Sequence, residues 1–459
     1  MPSPRPEPAG GKAPPCVILA AGRGQRLALR RCKPLTRVLG LSLAERGLLT
    51  FRQAGVRRFV VVLGYRAEEL RRHYESVAAR RRLEVRFVVA RGWERGNGVS
   101  AAAARDALGD GPFLLAMADH LISPGMVRAL LARTTDRREG SLLLAADRHR
   151  GALFDPADAT KLRLAGDRIE AIGKELTHWD AADTGFFLCT PELFSALERA
   201  ASRGAFSLTD GVAELAREGH ARIVDVSGEP WIDVDTPEAL REARRRLLAE
   251  IGKGAEDGFV SAWFNRRISR RLSSRLAETG VTPNQITVAS FAASLAGAGL
   301  LGFGSHLAGC AGALLVQLAS IVDGCDGEVA RLKHLATARG AWLDTILDRY
   351  ADVAVALGVT FGQVRTGGDG ALTWLGGLFA LSGFLLASYV TKEFALRHGS
   401  AYPNDWINRL KRRDLRLLGV CCGGLIDQAF AALVALGALS HACVAGILVR
   451  GWRTGDACS

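Results

Sequence analysis

Short apolar runs alternate with amphipathic stretches from Cys16 to about Leu248. CVILAA (16–21), RFVVVLG (58–64), EVRFVVA (84–90), PFLLAMA (112–118), SLLLAA (141–146), GFFLC (185–189) and ARIVDV (221–226) read as strands. Helical spacing fills most of the gaps, which predicts a mostly parallel, doubly wound, Rossmann-like α/β sheet. After Glu250 the pattern changes to long apolar segments at about 285–303, 307–330, 341–364, 371–391 and 415–450. The last of these must turn near Asp427 or Gly437, so the pattern predicts an all-α polytopic membrane domain of about six transmembrane helices. The expected division is a tail over 1–14, an α/β domain over 15–250, a linker and interfacial helix over 251–283, and the membrane domain over 284–453.

Between the two halves, Phe259, Trp263, Ile268, Leu272 and Leu276 fall near one helical face, with Arg266, Arg267, Arg270, Arg271 and Arg275 around the others. That distribution suits a helix lying on an anionic membrane surface. Basic residues also sort by side. Arg331, Lys333 and Arg339 follow the second apolar segment, and Lys392, Arg397, Arg409, Lys411, Arg412, Arg413 and Arg416 follow the fourth. The opposite loops, near 303 and 366, carry almost no positive charge. The basic side is that of the N-terminal domain, so the expectation is a multi-pass protein of the cytoplasmic (inner) membrane with its first domain in the cytosol. The opening stretch MPSPRPEPAGGKAPP lacks the apolar core of a signal peptide, in keeping with that reading.

These placements account for most of the net charge of +13, so no nucleic-acid partner is expected. The nine cysteines show no zinc-ligand spacing and read as buried thiols.

Within the second and third apolar segments lie Asp323, Asp326, Asp344 and Asp348. Spacings of three and four place each pair on one helix face, so two neighbouring helices can aim four carboxylates at one point. Facing lipid they would cost about 10 to 14 kcal/mol, so they must face a polar cavity. Oxygen donors without His or Cys suit hard divalent cations, Mg2+ or Mn2+. The run Asp323-Gly324-x-x-Gly327-x-x-Ala330-Arg331, followed by Gly340-x-x-x-Asp344-x-x-x-Asp348, resembles the signature of the CDP-alcohol phosphatidyltransferases. The resemblance implies that Asp323, Asp326 and Asp344 ligate metal. It implies that Asp348 completes that site and acts as general base. It also implies that Gly327, Ala330, Arg331 and Gly340 border the cytidine nucleotide. Asp352, one turn beyond Asp348, fits either a partner of the site or plain helix packing, and packing is the simpler reading. Among the loop cations, mostly topology determinants, Lys392, Arg412 and Arg413 are placed as contacts to a phosphorylated acceptor.

The first strand runs into a glycine turn with Gly22, Gly24 and Arg26, followed by Lys33 in CKPL. Small residues let backbone N–H groups approach phosphate, and Arg and Lys offset its charge. With Asn97 in GNG, Asp119 in MADH, Lys174 in IGKEL, Asp183-Thr184-Gly185, and Asp233 and Asp235 in WIDVDTPE, the region 15–248 resembles the nucleotidyltransferases that join NTPs to sugar or polyol phosphates. The resemblance implies that Gly22, Gly24, Arg26 and Lys33 hold the triphosphate, Arg26 and Lys33 catalytically, and that Asn97 lies near the base. Asp119 and Asp233, with Asp235, would bind magnesium, and Lys174, Asp183, Thr184 and Gly185 would contact the polyol phosphate. Cys32 stands where that family usually has Pro. Asp235 equally suits the cap of the helix that D-T-P-E opens.

The stretch DGFVSAWFNRRISRRLSSRLAETGVTPNQIT, taken with both patterns, resembles the bridge in the family of bifunctional inositol-1-phosphate cytidylyltransferase/di-myo-inositol phosphate phosphate synthases. That likeness implies CTP and inositol 1-phosphate as substrates, CDP-inositol as intermediate, and a second inositol 1-phosphate as acceptor with release of CMP. Membrane lipids are expected partners, and a homodimer is left open. The alternatives are the same chemistry with another polyol phosphate or a lipid acceptor, and a cation-coupled membrane transporter.

Overall fold

The computed structural model describes residues 13–24, 32–133, 140–253 and 265–455, so Arg26, Phe259 and Trp263 lie outside the described residues. The chain divides into two compact units, one ending at Arg246 and the other beginning at Leu247.

In the first unit the strands are β1 (Cys16–Ala20), β2 (Arg37–Val38), β3 (Leu41–Ser42), β4 (Arg58–Leu63), β5 (Glu84–Val89), β6 (Phe113–Met117), β7 (His120–Ile122), β8 (Leu142–Asp147), β9 (Lys161–Ala165), β10 (Arg168–Gly173), β11 (Ala181–Cys189), β12 (Ala221–Asp225) and β13 (Trp231–Asp233). The helices are α1 (Leu43–Gln53), α2 (Ala67–Arg81), α3 (Asn97–Ala102), α4 (Pro124–Leu131), α5 (Glu192–Ser202), α6 (Leu208–Arg217) and α7 (Pro237–Lys253), the last running on past Arg246. All seven apolar runs are strands of one sheet in the order β5-β4-β1-β6-β11-β8-β12-β10-β9.

Neighbours β5, β4, β1 and β6 are parallel, as are β8 and β12. The expectation of a mostly parallel sheet needs correction, because β11 runs antiparallel to both β6 and β8 and the β9–β10 hairpin pairs antiparallel at the far edge. The central strands are buried on both faces, so alternate residues feed two cores. Ile18, Val61 and Phe186 enter one core and Val17, Val60 and Phe187 the other. Helix starts are fixed locally: Ser42 and Ser123 accept hydrogen bonds from the Glu45 and Met126 N–H groups, and Ser207 and Asp210 form a reciprocal cap.

The second unit is helical: α8 (Arg266–Glu278), α9 (Pro283–Leu301), α10 (His306–Leu332), α11 (Ala338–Arg365), α12 (Gly370–His398), α13 (Trp406–Leu410), α14 (Arg413–Leu425) and α15 (Ala429–Gly455). The long final segment turns at Asp427, a non-glycine residue at φ 62°. Leu272 and Leu276 of α8 pack against Ile286, Cys325 and Val329, whereas Ile268 is exposed. Close approach of α9 and α10 depends on small residues, since a side chain at Gly297 would begin 2.9 Å from the Gly312 carbonyl oxygen.

The expected six spans appear as α9, α10, α11, α12, α14 and α15, yet only α9, α10, α12 and α15 combine the length and apolarity of a membrane span among the described residues. α11 is long enough but carries Asp344, Asp348, Arg349 and Asp352. α14 has 13 residues, a rise of about 20 Å against a hydrocarbon core of about 30 Å.

Candidate active sites

In the first unit Asp119 follows the end of β6, and β7 pairs with β13 so that Asp233 stands opposite His120. The site therefore lies at the carboxyl ends of parallel strands, where open α/β sheets bind ligands. Lys33 opens a short helical turn and buries its side chain, which is 5% exposed. Its Nζ lies 2.6 Å from Asp119 Oδ2 and 3.2 Å from Asp233 Oδ1, and it also pairs with Asp235. Gly24, at φ 61°, packs so closely that a Cβ there would fall 2.8 Å from the Lys33 Cβ. Asp119, His120 and Asp233 bring one ligand atom each within 4.8 Å of one another, and the two carboxylates among them are oxygen donors that fit a hard divalent cation.

Burial opposes charge on His120, but the carboxylates of Asp233 and Asp119 and the Thr184 carbonyl push it up to about 9. Burial likewise opposes ionisation of Asp233, yet His120 and Lys33 hold it well below the usual carboxylate range. Both groups are therefore charged at neutral pH, each stabilising the other.

A cavity of about 280 Å3 adjoins this cluster, and Asn97, Lys174, Asp183, Gly185, Trp231 and Arg246 are among its walls. Asn97 Oδ1 accepts a bond from the Leu208 N–H at 2.8 Å, and Lys174 Nζ donates to Asp158 Oδ1 at 2.6 Å. Burial raises Asp183 to about 6, against the opposing pull of the Gly185 N–H and His120.

Two expectations are corrected here. The Thr184 side chain is buried and donates to the Ala145 carbonyl, while its own carbonyl sits 2.7 Å from His120 Nδ1, so it orients His120 instead of facing the cavity. Asp235 meets Lys33, and Thr236 caps α7 by accepting from the Ala239 N–H at 3.1 Å. Gly22 lies on the exposed loop after β1.

In the second unit Asp323 and Asp326 on α10 meet Asp344 on α11, with one oxygen of each within 4.8 Å of the others. All the donors are oxygens, which fits hard divalent cations. Hydroxyls from α9 orient two of these carboxylates: Thr287 donates to Asp326 at 2.5 Å and Ser290 to Asp323 at 2.9 Å. These α9 groups were missed in the sequence, although hydroxyls three apart in an apolar helix are a readable signal. Arg413 Nη1 reaches Asp348 Oδ1 at 2.5 Å and Asp323 Oδ2 at 3.1 Å. A polar cavity of about 340 Å3 beside them is walled by Asp323, Asp348, Arg412, Arg413, Arg266 and Glu328, among others.

Arg413 and Arg416, read from the sequence as loop charges, lie instead at the start of α14 and pair with Asp352 inside the bundle. Asp352 is thus an ion-pair centre, where plain packing was the simpler reading. Lys392 is exposed on α12 and does not wall that cavity, and Arg331 is exposed at the end of α10. Gly327 lies beside Arg331, and Gly340 packs where a Cβ would sit 3.2 Å from Asn284 Oδ1. Ala330 is half-buried.

Residues 16–282 match the family model of the MobA-like NTP transferase domain, and residues 280–450 match that of the CDP-alcohol phosphatidyltransferases. A Rubrobacter xylanophilus protein named bifunctional IPC transferase and DIPP synthase is 40% identical over 93% of this chain and 94% of its own. Its namesake from Thermococcus kodakarensis is 36% identical over 82% of each chain, and that from Aquifex aeolicus 31% over 95% of this chain and 98% of its own. A solved structure of the inositol-1-phosphate CTP transferase from T. maritima, 25% identical, covers 53% of this chain and 98% of its own with a TM-score of 0.47. With four apolar spans and a CDP-alcohol phosphatidyltransferase domain, the C-terminal part is membrane-bound. The chain is a two-activity enzyme and belongs to the family of bifunctional IPC transferase and DIPP synthases.

Proposed function

We propose that the first unit makes CDP-inositol from CTP and inositol 1-phosphate, and that the second transfers inositol phosphate from CDP-inositol to another inositol 1-phosphate. The observation that carries this reading is that one chain holds two separate carboxylate clusters, each with a protein cation at its edge and a polar cavity beside it. A CDP-polyol released at the first is the donor that the second consumes.

In the first step a phosphate oxygen of inositol 1-phosphate attacks the α-phosphorus of CTP, and pyrophosphate leaves. Lys33 offsets charge on the transferring phosphate, Gly22 and Gly24 give it close backbone approach, and the cavity bearing Lys174 and Asp183 receives the polyol phosphate. In the second step a hydroxyl oxygen of the acceptor attacks the β-phosphorus of CDP-inositol, its proton passes to Asp348, and CMP leaves. Arg412 and Arg413 offer the acceptor's phosphate its counter-charge in the 340 Å3 cavity. Magnesium or manganese on Asp119 and Asp233, and on Asp323, Asp326 and Asp344, supplies charge neutralisation at the reacting phosphates. The N-terminal unit faces the cytosol, the source of CTP, and the helical unit sits in the cytoplasmic membrane.

The test is purified full-length protein given CTP and a panel of polyol phosphates, with pyrophosphate, CMP and product mass followed together. Inositol 1-phosphate should release both pyrophosphate and CMP and yield an inositol–phosphate–inositol phosphate product. Release of CMP with another polyol phosphate but not with this one would overturn the assignment.

A further inference from the structure

Asp352 lies one turn beyond Asp348 on α11, so its carboxylate shares the face that carries Asp344 and Asp348. It is 2% exposed, and a carboxylate buried to that degree needs partners. Three guanidinium groups supply them. Arg413 Nε lies 3.0 Å from Asp352 Oδ1, Arg416 Nη2 3.3 Å from Oδ2, and Arg349 Nη1 3.4 Å from Oδ2. Arg416 is itself buried, with its guanidinium 4.5 Å from the centre of the Phe384 ring. Both carboxylate oxygens are thus occupied, and Asp352 cannot turn without breaking a buried pair.

Arg349 Nη2 also lies 3.6 Å from Asp348 Oδ2, but of the three cations Arg413 makes the closest contact there and is the one that lines the transfer cavity. Its Nη1 touches Asp348 and Asp323, and it walls the polar cavity. A guanidinium is planar and rigid, so a partner on Nε fixes where both Nη atoms lie. Lysine can bridge carboxylates, but its flexible stem and single point charge would not fix the angle between the Asp352 and Asp348 contacts as the planar fork does.

We infer that Asp352 is a positioning residue for the transfer reaction. It anchors Arg413 through Nε so that Nη1 stays against Asp348, which fixes that carboxylate toward the acceptor cavity and presents the guanidinium to the incoming phosphate. Asp352 touches no substrate. The inference rests on the proposed second step.

The test is a double-mutant cycle on acceptor-dependent CMP release from CDP-inositol by the full-length enzyme, using D352N, R413K and the double variant, with pyrophosphate release from CTP measured on the same preparations. Each single variant should lose roughly 10- to 100-fold in kcat/KM for the acceptor, the range seen when an outer partner of an active-site ligand is removed. For D352N the KM for CDP-inositol should stay within twofold of wild type, and for both single variants so should the rate of pyrophosphate release at the separate first site. If Asp352 acts through Arg413, the double variant is no slower than the slower single one. Losses that multiply, or a D352N enzyme with wild-type acceptor kinetics, overturn the inference. If D352N does not accumulate in the membrane, D352E keeps the charge and moves the carboxylate by one methylene. It should show the same acceptor-directed loss, and wild-type kinetics there would also overturn the inference. A wild-type enzyme that makes CDP-inositol but releases no CMP with any acceptor overturns the two-step reading instead, and the inference falls with it.

Discussion

Replacing Lys33 by methionine tests whether the first carboxylate cluster is built around a cation. The ammonium sits 2.6 Å from Asp119 and 3.2 Å from Asp233 and also pairs with Asp235, while its own side chain is 5% exposed. At an effective dielectric near 20, contacts of that length are worth on the order of 5 to 6 kcal/mol each before desolvation. Removing one partner of a buried pair typically costs about 3 to 5 kcal/mol net. The three carboxylates are 20 to 34% exposed, so water reaches them and the lower end, about 3 kcal/mol, applies here. A divalent cation bound by the same carboxylates should restore much of the loss, about 2.7 kcal/mol at a hundredfold excess over its Kd. Hydrogen exchange of peptides from β6 and β13, read by mass spectrometry on the full-length protein, measures this locally. In EDTA, K33M should exchange there about a hundredfold faster than wild type, since each 1.4 kcal/mol is about tenfold. Excess Mg2+ should close most of that gap while pyrophosphate release stays at least roughly 100-fold slow, because the charge that meets the transferring phosphate is gone. Equal exchange of the two proteins in EDTA, or a gap that Mg2+ leaves unchanged, would refute this reasoning.

D348N should slow acceptor-dependent CMP release by roughly 100- to 10,000-fold, the usual contribution of a general base, while pyrophosphate release from CTP stays within twofold; a coupled assay of both products checks this. Burial raises Asp183 to about 6, so the folded chain binds this proton more readily than the unfolded chain, whose carboxyl keeps its ordinary value of 3.8. The resulting destabilisation is full above pH 6, fades as pH falls through 6, and is gone below about 4. D183N should therefore be more stable than wild type at pH 8 by about 1 to 3 kcal/mol, with the difference vanishing by pH 4 in denaturant titrations. G24V, which combines a left-handed backbone position with a collision on Lys33, should cut CTP turnover at least tenfold and leave CMP release from supplied CDP-inositol unchanged.

The parts of this molecule legible in its sequence are those governed by spacing along a single element. The seven strands could be read because each is an apolar run, six of them largely buried within the sheet and β5 a half-exposed edge strand that keeps the apolar pattern. The acidic pairs of α10 and α11 could be read because positions three and four apart share a helix face. The β9–β10 hairpin went unread although KLRLA and RIEAI alternate around Gly166, which turns at φ 67°, because the runs are short and charged. His120 was overlooked because its role arises only when β13 pairs with β7 and sets Asp233 opposite it. Arg413 and Arg416 were read as loop charges because composition alone cannot tell a basic loop from a helix start whose cations turn inward to a buried carboxylate.

Both clusters share one physical solution reached by different chemistry. Carboxylates gathered for divalent cations repel one another whenever the cations are away, and that repulsion would splay the elements that carry them. In the sheet unit the restraint is an ammonium placed from a neighbouring turn, a compact charge that touches three carboxylates. In the bundle it is a guanidinium brought from α14, whose planar fork can grip Asp352 with one nitrogen and Asp323 and Asp348 with another. The choice follows from the setting. Strand pairing already fixes Asp233 beside Asp119, since the Val234 N–H donates to the Asp119 carbonyl at 3.2 Å, so a flexible lysine suffices. Separate helices have no such backbone ladder, so only side chains can set their register, and a rigid residue that spans two helices does what hydrogen-bonded strands do in the other unit.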